Sequence, residues 1–268
     1  MAKQSDGKAL IWDLGNTLLR VNTFCYAKKV GLMDFILYPL LEWKNPKKVH
    51  EIAFDILAHV HAPGHDGYPH ATAQGKPIPL IMCHWLAGTT NHTDLWAKIE
   101  RQLRLAEVNN VFSSARQKRL VTNTLKILFD GEQFTQCIEP IKATIDILKE
   151  CAEQKDASGN QKHQLLILSN WDPHSFIYVL EAPALKELFS YFDSHAILIS
   201  GHTGILKPDV ASYKHLLEQF HLEPKNCLFI DDQIENIHAA ETVGIKGIYL
   251  QDNNFKKLRT DLAAQGII

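Results

Sequence analysis

The stretch that decides the fold lies close to the N-terminus and reads Ala9-Leu10-Ile11-Trp12-Asp13-Leu14-Gly15-Asn16-Thr17. Its apolar run is too short for a helix and is bounded by turn residues, so it indicates a buried strand that ends in a carboxylate. Open α/β sheets place their chemistry just beyond the carboxyl ends of parallel strands. The stretch alone leaves two interpretations open, because Asp13 could also do no more than cap a turn.

Composition bounds the classes of protein that the chain can be. With 268 residues, 46% of them hydrophobic, it can form one large domain or a core with a smaller domain appended. A net charge of −2 gives no electrostatic footprint for nucleic acid or an anionic membrane. The longest apolar stretch, residues 36–43, is interrupted by Pro39 and is too short to span a bilayer. Because residues 1–8 also lack a signal-peptide pattern, we expect a soluble, cytoplasmic protein without nucleic-acid or membrane partners.

The cysteine content predicts reduced thiols. There are five cysteines, an odd number, and none of them is spaced as in a CxxC motif. This pattern favours buried thiols over a disulfide framework or a zinc site.

After the first strand, the chain changes to helical periodicity until about residue 137. Apolar residues recur at helical spacing over 24–43, 48–61, 93–106 and 120–129. The sequence thus predicts a helical cap domain, residues 21–132, inserted into a core domain formed by residues 1–20 and 133–268. Its tryptophans could line a pocket, but at this spacing core packing is the favoured interpretation; they are Trp43, Trp85 and Trp96.

A long loop over residues 62–79 interrupts the helical region. It is rich in glycine, proline and histidine, with His61, His65 and His70 around Asp66. Such loops are uncommon in compact domains without a functional or disordered reason. Because the spacing matches no standard ligand set, a plain loop or a mobile flap near a substrate is favoured over a metal site.

From residue 138 onward, single helices alternate with short apolar strands. The pattern predicts a helix marked by Ile138, Ile141, Ile145 and Leu148, and strands at residues 165–168, 194–199, 227–230 and 245–250. Asp172-Pro173 fits a helix N-cap with proline at the first helical position. This rhythm predicts an α/β fold with a doubly wound parallel sheet.

Three of the predicted strands end in complementary polar groups, which are Asp13, Ser169 and the pair Asp231-Asp232. A lysine, Lys207, lies in a Gly/Pro loop just before a helix. A carboxylate can attack phosphorus, and carboxylate oxygens are the ligands that Mg²⁺ prefers. A hydroxyl and a lysine can hold the charge of a transferring phosphoryl group. Each signal is weak alone, and their order along the chain makes the case for phosphoryl transfer.

As a set, these segments resemble the four motifs of the haloacid dehalogenase-like hydrolase superfamily. The matching segments are Ile11-Trp12-Asp13-Leu14-Gly15-Asn16-Thr17, Leu166-Ile167-Leu168-Ser169-Asn170, Lys207-Pro208-Asp209 and Leu228-Phe229-Ile230-Asp231-Asp232. The resemblance implies Mg²⁺-dependent hydrolysis of a small phosphate monoester through an aspartyl-phosphate. It implies catalytic roles for Asp13, Ser169 and Lys207; substrate binding by Ser169, Asn170 and Lys207; and metal binding by Asp13, Gly15, Asp231 and Asp232.

The chain departs from the superfamily's phosphatase pattern at one position. Most of these phosphatases carry a general acid two residues after the nucleophile, where this chain has Gly15. General acid–base help is worth about 10²–10⁴-fold in rate. Three alternatives therefore stay open. The chain could be a phosphatase resembling sugar-phosphate phosphatases with a Leu-Gly-Asn motif, a 2-haloacid dehalogenase, or a binding or regulatory protein with little turnover. Asp172 and the cap histidines are candidates for a substitute acid.

Overall fold

A computed structural model describes residues 7–42, 45, 47–62, 72–73 and 76–268 of the chain. Its centre is a parallel sheet with the strand order β7-β6-β1-β8-β9. The strands are β1 (Ala9–Trp12), β2 (Leu19–Val21), β3 (Thr72–Ala73), β4 (Lys76–Pro77), β5 (Ile138–Pro140), β6 (Gln164–Ser169), β7 (Ile197–Ile199), β8 (Cys227–Asp231) and β9 (Lys246–Tyr249). The doubly wound parallel sheet predicted from the sequence is thus confirmed.

Alternate residues of the central strands pack on opposite faces of the sheet. Leu10 and Trp12 of β1 join one hydrophobic cluster, and Ala9 and Ile11 join the other. Both faces are buried, because helices cover each side, and this explains why the strands are continuous apolar runs. The helices α7, α8 and α13 cover the first face, while α11 and α12 cover the second. These helices and the others are α1 (Thr23–Glu42), α2 (Lys47–Ala58), α3 (Leu80–Leu86), α4 (His92–Val108), α5 (Ala115–Phe129), α6 (Gly131–Thr135), α7 (Lys142–Glu153), α8 (Pro173–Glu181), α9 (Lys186–Phe189), α10 (Ser200–Thr203), α11 (Val210–Gln219), α12 (Ile234–Thr242) and α13 (Phe255–Ala264).

The helices α1 to α6, here called the helical insertion, have a hydrophobic cluster of their own that runs from Val30 to Phe129. The insertion leaves the core at β2 and returns at β5, and these two strands pair antiparallel. The predicted division of the chain at residues 20/21 and 132/133 stays a prediction, although the paired strands lie close to both boundaries.

The insertion touches the core where α3 ends. The Ser200 hydroxyl donates a hydrogen bond of 2.7 Å to the carbonyl of Leu86. Next to it, Gly88 has φ +69°, and a Cβ there would lie 2.5 Å from the carbonyl oxygen of Gly201. Glycine is therefore required at position 88 both for its backbone conformation and for this close approach.

Local details differ from the sequence predictions in three places. Ile138 belongs to β5 and not to the following helix, which begins at Lys142. The predicted strand at 194–199 is shorter, because Ser194–Ala196 form a 3₁₀ turn before β7. Within the insertion, where no strand was expected, β3 and β4 form a short antiparallel pair.

The cysteine prediction is wrong for two of the five residues. The structure joins Cys25, near the start of α1, to Cys137, just before β5, in a disulfide. The pairing of β2 with β5 brings them together across 112 residues of sequence, so spacing along the chain could not reveal it. The remaining three are free and buried, as predicted; they are Cys83, Cys151 and Cys227.

Two further expectations concern the loop and membranes. His65, Asp66 and His70 lie outside the described residues, and His61 is exposed. Among the helices of the described part, none is both long enough and apolar enough to cross a bilayer.

Candidate active site

The residues predicted to converge at the sheet edge do so. Asp13 follows β1 directly, while Ser169 and Asp231 are the last residues of β6 and β8. In the sheet register Trp12 lies opposite both Ile167 and Ile230, so Asp13 and Asp231 end their strands at the same level and Ser169 lies one residue further along. The Ser169 hydroxyl donates to Asp13 Oδ1 over 2.9 Å.

Lys207 reaches these residues from the loop before α11. Its Nζ donates to Asp13 Oδ1 and to Asp231 Oδ2, at 2.7 Å each, and the side chain is only 2% exposed. The loop is fixed by Asn170, whose side chain accepts from the Lys207 N–H and donates to the Lys207 carbonyl, both at 2.8 Å. The Lys207-Pro208 peptide is cis. In this structure Asn170 therefore positions Lys207. This role is additional to the substrate contact that the resemblance implies for Asn170.

Two residues that sequence reasoning did not single out hold the acidic pair. The buried Asn236 in the first turn of α12 donates to both oxygens of Asp231, at 3.1 and 3.0 Å. Asn16, at φ +54°, hydrogen-bonds the carboxylate of Asp232. A buried polar residue in the first turn of the helix that follows Asp231 is the signal that could have identified Asn236.

Burial and charge set the protonation of the cluster. Burial raises the pKa of Asp13 to about 7, with Lys207 opposing the shift and the charge of Asp231 adding to it. Burial and the charge of Asp231 likewise raise the pKa of Asp232 to about 6. Burial alone would lower the pKa of Lys207, but its contacts with Asp13 and Asp231 outweigh that and raise the pKa. The charge of Asp231 thus disfavours ionisation of both Asp13 and Asp232, and the single ammonium of Lys207 compensates only part of that repulsion.

The residues fit a hard divalent cation. Asp13, Asp231 and Asp232 each bring one carboxylate oxygen to within 4.8 Å of the others. Asp232 Oδ1 is buried and has no hydrogen-bond partner among the described residues. A buried carboxylate oxygen without a partner is costly, and a cation of the Mg²⁺ type would satisfy it with the all-oxygen ligation it prefers.

Gly15 lies beside the nucleophile candidate. A Cβ at this position would have Asp13 Oδ2, at 3.9 Å, as its nearest neighbour, so the backbone leaves space for a side chain that the sequence lacks. The role of its carbonyl as a metal ligand stays a prediction.

Asp172, a candidate substitute acid, is the N-cap of α8, as predicted. Its carboxylate accepts from the Ser175 N–H over 2.8 Å and also contacts the Ser175 hydroxyl, and burial raises its pKa.

A cavity of about 260 Å³, here called the proximal cavity, opens beside the site. It lies between the core and the helical insertion, with Gly15, Asn170 and Trp171 on the core side and Met82, Trp85 and Phe129 on the other. Trp85 also belongs to the insertion's hydrophobic cluster. It therefore packs in the core of the insertion, which is the interpretation that the sequence favoured, and it lines the cavity as well. Trp96 packs against that cluster, and Trp43 lies outside the described residues.

A family model described as haloacid dehalogenase-like hydrolase matches residues 8–244. The chain belongs to this family. The match includes the helical insertion as well as all four motifs, and it establishes the protein as a hydrolase of this fold.

Individual relatives are distant. The sesquiterpene phosphatase astK of Aspergillus oryzae is 26% identical over 166 residues, which is 62% of this chain and 77% of that protein. The solved structure of HAD family enzyme bt-2542 from Bacteroides thetaiotaomicron, in complex with magnesium and inorganic phosphate, has a TM-score of 0.51 at 16% identity, covering 91% of this chain and 93% of that one. L-2-haloacid dehalogenase from Xanthobacter autotrophicus has a TM-score of 0.51 at 15% identity, covering 98% and 84%. The two structural likenesses establish the shared fold.

Proposed function

We propose that this protein is a Mg²⁺-dependent phosphatase that hydrolyses a small phosphate monoester through an aspartyl-phosphate on Asp13. One observation carries the proposal: the Lys207 ammonium contacts Asp13 and Asp231 at 2.7 Å, beside a third carboxylate, Asp232, one oxygen of which has no partner in the described part of the chain. A lysine and a cation site next to a nucleophilic carboxylate are complementary to the negative charge of a transferring phosphoryl group.

The reaction proceeds in two displacements. The Asp13 carboxylate attacks phosphorus, an aspartyl O–P bond forms, the ester P–O bond breaks, and the leaving oxygen takes up a proton from water to become an alcohol. Water then attacks the phosphorus of the aspartyl-phosphate, which releases inorganic phosphate and restores Asp13. Ser169 and Lys207 hold the carboxylate in one orientation, and Lys207 also stabilises the charge that builds on the phosphoryl oxygens.

Asp13, Asp231 and Asp232 are the residues that would hold Mg²⁺, with the carbonyl of Gly15 as a further ligand. When bound, the ion neutralises negative charge on the phosphoryl group. The phosphatase-named relative astK and the magnesium and phosphate complex of bt-2542 support this assignment.

A second candidate, 2-haloacid dehalogenation, is favoured by Gly15. Halide leaves without protonation, so this chemistry needs no acid at that position. The acidic pair argues against it, because dehalogenation through Asp13 has no use for a cation site, whereas a buried and an adjacent half-buried acid are costly without a cation.

The test measures phosphate release from an aryl and an alkyl phosphate, with Mg²⁺ and with a chelator, and chloride release from 2-chloropropionate. The proposal predicts Mg²⁺-dependent phosphate release and no chloride. Chloride release that is independent of metal would replace the phosphatase assignment by the dehalogenase one. Binding of phosphate without release from either ester would instead favour the non-catalytic alternative.

A further inference from the structure

The proximal cavity opens beside the candidate active site, and the four motifs do not specify what it binds. We propose that it binds a hydrocarbon leaving group, so that the substrate is the phosphate monoester of an apolar alcohol and not of a sugar. This inference rests on the proposed phosphatase function and names its substrate class. Three observations carry it: the side chains that form the wall, the state of the polar groups in that wall, and a second apolar cavity behind it.

The wall facing the site from the helical insertion is hydrocarbon and aromatic. It includes Met82, Trp85, Leu86, Leu128 and Phe129. Trp85 and Phe129 stack edge to face with their ring centroids 5.7 Å apart, which fixes this part of the wall. Gly15 and Asn170, which flank the Asp13 and Lys207 cluster, line the same cavity, so a group placed here lies next to the reacting centre.

The polar side chains that reach the cavity already bond within the protein. Asn170 is tied to the Lys207 backbone in both directions, and Asp172 is bonded to Ser175. Arg20 is paired with Glu139 over 2.8 Å. A sugar binds through hydroxyl contacts with such groups, and here these groups already have partners within the protein. A hydrocarbon group needs no such contacts, because it gains free energy from leaving water.

The volume of the proximal cavity indicates the size of the leaving group that it can hold. An engineered protein cavity of about 150 Å³ binds benzene, so by proportion about 260 Å³ holds a hydrocarbon of roughly ten carbon atoms.

A second apolar cavity of about 420 Å³, here called the distal cavity, lies behind the first. Its wall includes Phe35, Ala53 and Phe54, and it shares Val21, Leu128 and Phe134 with the proximal cavity. These three shared side chains form the partition between the two cavities. A chain longer than the proximal cavity would meet this partition, so the partition sets the preferred length of the leaving group.

The first experiment measures kcat/KM for primary n-alkyl phosphates of increasing length, below the concentration at which they form micelles. Full burial of each added methylene predicts about a fourfold gain, up to roughly ten carbons, where the gain stops. Allowing for incomplete burial, decyl phosphate should exceed ethyl phosphate and glucose 6-phosphate by at least about a hundredfold. A flat series, or a preference for glucose 6-phosphate, would overturn the inference.

A matched pair of methionine variants locates the effect. Met82→Gln places an amide in the proximal wall at nearly constant volume and should reduce the ratio of decyl to ethyl phosphate turnover about tenfold or more. Met33→Gln makes the same change at a side chain that is 65% exposed and should leave the ratio as it is. An unchanged ratio in both variants would place the leaving group elsewhere.

A matched pair of phenylalanine variants tests the partition. Phe134→Ala opens the two cavities into one and should move the preferred chain length beyond ten carbons. Phe112→Ala removes a ring that also packs, partly buried, against the insertion's hydrophobic cluster but lines neither cavity, and it should leave the preference where it is. If Phe134→Ala folds and keeps the original preference, the partition does not set the length.

Binding of the product alcohol separates this inference from the phosphatase function. Trp85 and Trp171 line the proximal cavity, so 1-decanol should change the tryptophan fluorescence of the unmodified protein in the presence of chelator, and glycerol should not. Decanol binding without phosphate release from any ester would overturn the phosphatase function and keep the apolar site. Phosphate release with no decanol binding and no length dependence would overturn the apolar site and keep the phosphatase.

Discussion

Replacing Lys207 by methionine tests the charge arrangement at the centre of the site. Its Nζ is the hydrogen-bond donor shared by Asp13 and Asp231, and all three side chains are buried. Methionine keeps most of the side-chain volume and removes the charge, which leaves two buried carboxylates facing each other. Removing one partner of a buried ion pair typically costs about 3–5 kcal/mol, because the remaining charge stays buried without compensation.

The assay is urea unfolding at pH 8, followed by circular dichroism; this pH lies above the pKa of about 7 that Asp13 has in the unmodified protein. We expect the free energy of unfolding of Lys207→Met to fall by about 3–5 kcal/mol. The matched control is Lys257→Met, which removes an exposed ion pair with Asp261 on α13 and should cost less than about 0.5 kcal/mol. Mg²⁺ should recover part of the loss in Lys207→Met, because a ligand that binds only the folded state stabilises it.

A loss of less than about 1 kcal/mol in Lys207→Met, equal to that of the control, would refute the reasoning. It would mean that the ammonium does not compensate Asp13 and Asp231 in the folded protein. A large loss that Mg²⁺ leaves unchanged would keep the ion pair but contradict the metal site.

Three further predictions address the nucleophile, the missing acid and the insertion. Asp13→Asn should abolish phosphate release while leaving the circular dichroism spectrum unchanged, and full activity would remove Asp13 as the nucleophile. Gly15→Asp, for which the backbone leaves room, should raise kcat for a short alkyl phosphate by up to about 10²–10⁴-fold. It should barely change kcat for an aryl phosphate, whose leaving oxygen needs little protonation. Equal effects on both substrates would show that proton transfer does not limit the rate. The hydrogen bonds and charges of Arg119 and Arg116 lower the pKa of Asp34 in the folded protein. The ionised Asp34 therefore stabilises the fold fully at a pH above the unfolded-state pKa, and this stabilisation is lost as the pH falls through the lower folded-state pKa. Asp34→Asn should thus cost about 1 kcal/mol at pH 7 and low salt, and progressively less as the pH falls below the unfolded pKa of about 3.9; a difference in unfolding free energy that grows in acid would contradict the pairing.

The sequence predicts the core of this fold well, because its strands are buried on both faces. A run such as Leu165 to Leu168 has few interpretations other than a buried strand, and a polar residue after each run then locates the site edge. The sequence did not predict the pair β2 and β5, because these strands lack such a pattern. Each strand has three residues, which is too few to establish a period, and the pairing joins segments more than a hundred residues apart.

The candidate site was predictable to the level of residue type but not of contacts. The four motifs bring Asp13, Ser169, Lys207 and Asp231 together, as the structure has them. The support from Asn236 and the exchange of hydrogen bonds between Asn170 and Lys207 depend on side-chain geometry that spacing does not encode. The proximal cavity is harder still, because its wall combines residues from the core and from the insertion, whose relative placement follows from contacts such as Gly88 with Gly201.

The most direct test of the central claim is to trap the covalent intermediate. The protein is acid-quenched during turnover of an aryl phosphate with Mg²⁺, digested, and examined by mass spectrometry for phosphate on the peptide that contains Asp13. We predict phosphorylation of Asp13 in the unmodified protein, and none with chelator or in Asp13→Asn. Sustained phosphate release with Asp13 unmodified throughout the time course, and with the same rate in Asp13→Asn, would contradict the account.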